Sequence, residues 1–67
     1  MAVARITEVI ASSKESWEDA ARQAVARASK TLRGITGFEV LRQNAKVENG
    51  RIAEYRVDCR ITFILEK

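Results

Sequence analysis

Four ionisable side chains, Glu54, Arg56, Asp58 and Arg60, occupy every second position towards the C-terminal end of this 67-residue chain. Residues two apart in an extended chain share a face, so these carboxylates and guanidiniums form one row of alternating charge. Such a row has two uses. Its members can pair with one another or with neighbouring strands and subunits, or Arg56 can offer its planar fork of donors to a phosphate or carboxylate. Other chemistry is scarce: the chain has no histidine, no glycine-rich phosphate loop and a single thiol, Cys59. Acid–base relays and zinc sites therefore lack their residues, and an enzyme is not expected. Cys59 falls on the apolar side of its stretch, where it acts as a small apolar residue. Trp17 could stack on a ligand, but it sits on an apolar helical stripe and reads as a core or subunit-contact residue.

The charged row is carried by residues 51–65, in which Ala53, Tyr55, Val57, Cys59, Ile61, Phe63 and Leu65 alternate with it. That period defines a long strand with one face in a core. Fifteen residues at ~3.3 Å each would span roughly 50 Å, more than a chain of this length can cover. Residues 3–10, rich in Val3, Ile6, Thr7, Val9 and Ile10, predict a first strand, with Ala11, Ser12 and Ser13 breaking it. Residues 14–33 switch to a helical period, with Trp17, Ala20, Ala21, Ala24, Val25, Ala28 and Leu32 on one stripe. Ser13 or Ser16 caps its start, Ser16 and Asp19 resemble a capping box, and Gly34 follows its end. The alanine-rich stripe lets the helix lie close on a sheet and leaves little room for a cavity. Residues 37–48 predict a second strand, and Asn49-Gly50 is a strong signal for a tight hairpin into the long one. The fold class is α+β: a β-α-β-β chain with a three-stranded antiparallel sheet, the long strand central, and one helix packed on one face.

Residues 1–67 make one domain, and a chain this short buries too little surface to be stable on its core alone. With one cysteine and no histidine, neither a disulfide nor zinc supplements that core, which leaves oligomerisation. A helix of about twenty residues is ~30 Å long and covers only part of one sheet face. The uncovered strand end would expose Phe63, Ile64 and Leu65 as an apolar edge suited to a subunit interface. Twelve basic and nine acidic residues give a net charge of +3, interspersed rather than blocked. This patterning reads as a mixed solvated surface, with a small basic nucleic-acid module as the remaining alternative. Arg5 and Glu8 interrupt the N-terminal apolar run and no stretch approaches membrane-spanning length, so a soluble, cytoplasmic protein is expected.

Several local strings then resemble one family. Ser29-Lys30-Thr31-Leu32-Arg33 closes the helical segment, Phe38-Glu39-Val40 opens the second strand, Tyr55 and Val57 form a Tyr-x-Val pattern, and Phe63, Leu65 and Glu66 end the chain. In this order and spacing they resemble the dodecins, small β-α-β-β proteins that assemble into hollow homododecameric shells and commonly bind flavins. The resemblance covers essentially the whole chain. It implies a ligand-storage role, with flavins stacked on a tryptophan just before the Phe-Glu-Val string and hydrogen-bonded by a glutamine just after the tyrosine. Those cofactor-binding positions are Gly37 and Arg56 here, so the stacking ring is replaced by hydrogen and the amide by a group that only donates. The implied ligand is riboflavin or FMN. A phosphorylated nucleotide-like ligand on Arg56, such as FMN or coenzyme A, is an alternative. The chain is also similar to calcium-binding dodecins that lack the tryptophan and share a Ser-Trp-Glu helix start, matched by Ser16, Trp17 and Glu18. A calcium ion takes six to eight oxygen ligands, so carboxylates as scattered as Glu54 and Asp58 could serve only in a site shared between subunits.

Overall fold

The computed structural model describes residues 3–65, which leaves Glu66 of the C-terminal string outside the described residues. The elements run β1 (Ala4–Ser13), α1 (Trp17–Ala28), β2 (Ile35–Glu48) and β3 (Arg51–Ile64). The strands form one antiparallel sheet in the order β1-β3-β2, with the alternating strand in the middle. Its odd positions face the helix side: Val57, Cys59 and Ile61 are fully buried, and Ala20 and Ala24 of α1 cluster with Val57 and Cys59, with Val9, Ala11 and Trp17 packed against them. Asn49 (φ 51°) and Gly50 (φ 72°) form the hairpin turn, each in the left-handed region that these two residue types tolerate best.

Two boundaries differ from the sequence reading. Ala11, Ser12 and Ser13 do not break β1 but extend it, pairing with Val57, Arg56 and Tyr55. Ser13 ends the strand rather than breaking it: it is buried, its hydroxyl donates to Asp19 of the helix at 2.6 Å, and the same oxygen accepts from the Glu15 N–H at 2.9 Å just past the strand. The helix is shorter than residues 14–33 at both ends. Ser16 caps it in an extended conformation and accepts from the Asp19 N–H at 3.0 Å, but Asp19 does not return the bond, being occupied by Ser13 and Gln23. After Ala28 the backbone tightens: Lys30 N–H reaches Arg27 C=O and Thr31 N–H reaches Ala28 C=O, each three residues back. Gly34 (φ 74°) therefore turns the chain into β2 rather than closing the helix.

Twelve helical residues reach only ~18 Å, against ~46 Å for a strand of fourteen. The molecule is 51 Å long and 19 by 13 Å across, with α1 over β1 and β3 and scarcely touching β2. Phe38 and Val40 stay exposed on the helix side of β2 for that reason. Among the described residues no element covers the opposite sheet face, where Ile6 and Ile10 are 57% and 72% exposed. At the end of β3 only Leu65 is exposed as expected, while Phe63 and Ile64 are half-buried.

Candidate functional site

Residues directly opposite in an antiparallel sheet point to the same side, so the register specifies the uncovered face. Its rows are Ile6, Thr62 and Gly37; Glu8, Arg60 and Glu39; Ile10, Asp58 and Arg42; and Ser12, Arg56 and Asn44. Gly37 and Arg56 thus share a face. They are not brought together, because Gly37 stands opposite Thr62, six residues from Arg56 along β3, or ~20 Å. One chain cannot join the two positions in a single site.

Each position departs from a flavin contact in a specific way. A register shift between Ile35 and Gly37 brings β2 close to Thr62, and a Cβ built at Gly37 would lie 3.3 Å from the Thr62 Cβ. No ring can arise from Gly37, so the stacking contact has no counterpart here. Arg56 borders an open cleft of ≈ 400 Å³ together with Ile10, Arg42, Asn44 and Asp58.

Three of the four alternating charges pair within this face, while Arg60 makes no ion pair among the described residues. Arg56 Nε donates to Glu54 at 3.0 Å along the same strand, and Arg42 donates to Asp58 at 3.1 Å across strands. A bulge makes the second pair. β2 holds an extra residue, Leu41, between Val40 and Arg42, and without it Leu41 would face Asp58. Asp58 is nevertheless buried, with a side chain 9% exposed, and its Oδ1 has no hydrogen-bond partner. The sequence offers Asp58 as one of the row of charges and as a possible shared calcium ligand, but it does not single out Arg42. The alternation places Asp58 on the polar face, but its burial depends on neighbouring strands and its partner on the bulge.

The remaining candidates are occupied structurally. Trp17 Nε1–H donates to the Asn44 carbonyl at 2.8 Å, and its ring meets Tyr55 edge-on at 4.8 Å between centroids, tying the helix to the sheet. Cys59 is buried, its thiol directed at the Val9 carbonyl; burial first, then the charges of Asp58 and Glu8, raise its pKa and keep it a neutral thiol. Hydrogen bonds from Ser13 and then Gln23 hold Asp19 below its ordinary carboxylate pKa. No cluster of three or more metal-ligating side chains occurs among the described residues. The alanine stripe leaves more space than its small residues suggest: a groove of ≈ 620 Å³ runs between α1 and β1, lined by Val9, Ala24, Arg27, Ala28 and Leu32 among others. No described helix is long and apolar enough to cross a membrane.

The class is that of small α+β proteins in which one helix packs on one face of a three-stranded antiparallel sheet and the other face is left uncovered among the described residues. The dodecin family model matches residues 3–66. The dodecin of Thermus thermophilus is 37% identical over 60 residues, covering 90% of this chain and 87% of that protein. The calcium dodecin of Mycobacterium tuberculosis is 32% identical over 63 residues, covering 94% and 89%. The structure of dodecin from Streptomyces coelicolor superposes with a TM-score of 0.94 at 38% identity, covering 98% of this chain and 94% of that one. The chain belongs to the dodecin family.

Proposed function

We propose that this chain assembles into a closed homododecameric shell that holds a flavin, riboflavin or FMN, in sites shared between subunits. In this reading Arg56 serves where flavin-binding dodecins use an amide. The observation that carries it is the separation of Gly37 and Arg56 on one uncovered face: any site using both must draw them from different subunits. The exposed Ile6 and Ile10 on that face supply apolar area for the contact. Size-exclusion chromatography with light scattering should give a compact particle of twelve times the 7.5 kDa chain mass. Titration with riboflavin should quench its fluorescence. A monomer or dimer at micromolar concentration refutes the shell, and unquenched riboflavin refutes the ligand.

A second reading, a calcium-binding or purely structural shell, is favoured by Gly37, which leaves no stacking ring. The Mycobacterium tuberculosis relative is a calcium dodecin, 32% identical to this chain. Glu54 and Asp58 are already paired with Arg56 and Arg42, so a calcium site would need carboxylates from more than one subunit. Calorimetric titration with calcium, and a melting temperature lowered by chelator, test this reading directly.

A further inference from the structure

We infer that Asp58 is the specificity-determining residue of the open-face cleft, and that it selects a planar heterocycle presenting a ring N–H beside a carbonyl. This rests on the flavin reading above and names the group that recognises the ring edge. A buried carboxylate oxygen without a partner has lost its water and gained nothing in return, so its presence calls for a donor. Among the described residues none reaches Asp58 Oδ1, which leaves this acceptor for a ligand donor to fill.

The surroundings state what kind of molecule brings it. Arg42 holds the other oxygen of Asp58 from the neighbouring strand, and Arg56 lies two residues along the same face of β3. The cleft thus sets one acceptor among cationic donors. A cyclic imide edge, O=C–NH–C=O, is its complement: the N–H goes to Asp58 and the carbonyls to the guanidiniums. A phosphate matches less well. Each guanidinium already carries a carboxylate, Asp58 on Arg42 and Glu54 on Arg56, so the cleft has no net positive charge to offer a dianion. Asp58 lines the cleft beside the Arg42 side chain, which is 76% exposed and can move without unpacking a core. Ile10, exposed on the same cleft, gives the ring an apolar surface in place of the missing tryptophan.

The test compares riboflavin with 3-methylriboflavin, which differ at that ring N–H, by fluorescence titration of the assembled protein. A hydrogen bond to a charged group predicts at least about tenfold weaker binding of the methylated ring. Asp58→Asn should weaken riboflavin binding by a similar factor, leave the methylated ring nearly unaffected, and so bring the ratio towards one. If the variant fails to fold, the wild-type ratio alone decides. Equal affinity of the wild-type protein for both rings overturns the role of Asp58 while leaving the flavin reading intact. Binding of neither ring overturns both. Equal affinities together with dispersal of the assembly by Asp58→Asn would place the missing donor on a neighbouring subunit and also overturn the inference.

Discussion

Trp17 joins three elements through one side chain, donating to the Asn44 carbonyl of β2, meeting Tyr55 of β3 and opening α1. Trp17→Phe keeps much of the ring contact and removes the donor, so it should cost about 1 kcal/mol, read from urea denaturation. Trp17→Ala should cost about 3 kcal/mol or more, because the ring contact goes as well. The Asp19 carboxylate makes a prediction in pH. Its folded pKa lies below the unfolded value, so the folded state gains from its ionisation. That gain is fully present above the unfolded pKa of about 4 and disappears as pH falls through the lower folded value. Asp19→Asn should therefore melt at a lower temperature than wild type at pH 7, with the gap closing in melts taken at progressively more acid pH. A gap of constant size across the acid range would show that the loss comes from packing rather than charge.

At the scale of elements, the β2–β3 hairpin depends on backbone conformation rather than contact. A Cβ at Gly50 meets nothing within 4 Å, so Gly50→Ala is penalised only through its positive φ. The expected cost is about 1 kcal/mol, measured as a shift in the denaturation midpoint with an unchanged slope. This turn and the alternation of β3 are local signals, which is why they are legible in the sequence. The central place of β3 follows as well, because an apolar row facing a helix and a polar row facing outwards require partners on both edges. The ends of α1 are harder to read. Ser29, Lys30 and Thr31 continue a helical pattern in composition, yet the Ser29 hydroxyl bonds the Val25 carbonyl and the N–H groups of Lys30 and Thr31 reach back three residues. The bulge at Leu41 is illegible for the same kind of reason. Val40, Leu41 and Arg42 are each acceptable in a regular strand, and only pairing with β3 decides which of them faces Asp58.

The candidate site is legible to the same limited degree, and the reason appears only at the scale of the whole molecule. Gly37 and Arg56 can be located in the sequence by resemblance, but that they lie ~20 Å apart on one face requires the register. That same face makes the last prediction. Ile10 is 72% exposed beside a charged row, in a chain whose helix spans only about two fifths of its sheet length, and an isolated subunit would leave this surface wet. In the proposed symmetric shell, burial of an isoleucine side chain would contribute roughly 1.5–3 kcal/mol at every equivalent contact. Ile10→Asp would place a carboxylate in each of those contacts, near Asp58 and without a new cation to pair with it. The variant should elute as small species at micromolar concentration, with a melting temperature that rises as protein concentration is raised. Lys30→Ala, a change at an exposed residue just past the helix, should leave the assembly intact. If Ile10→Asp still forms the full-size particle with an unchanged melting temperature, this sheet face is not a subunit contact and the cleft opens directly to solvent.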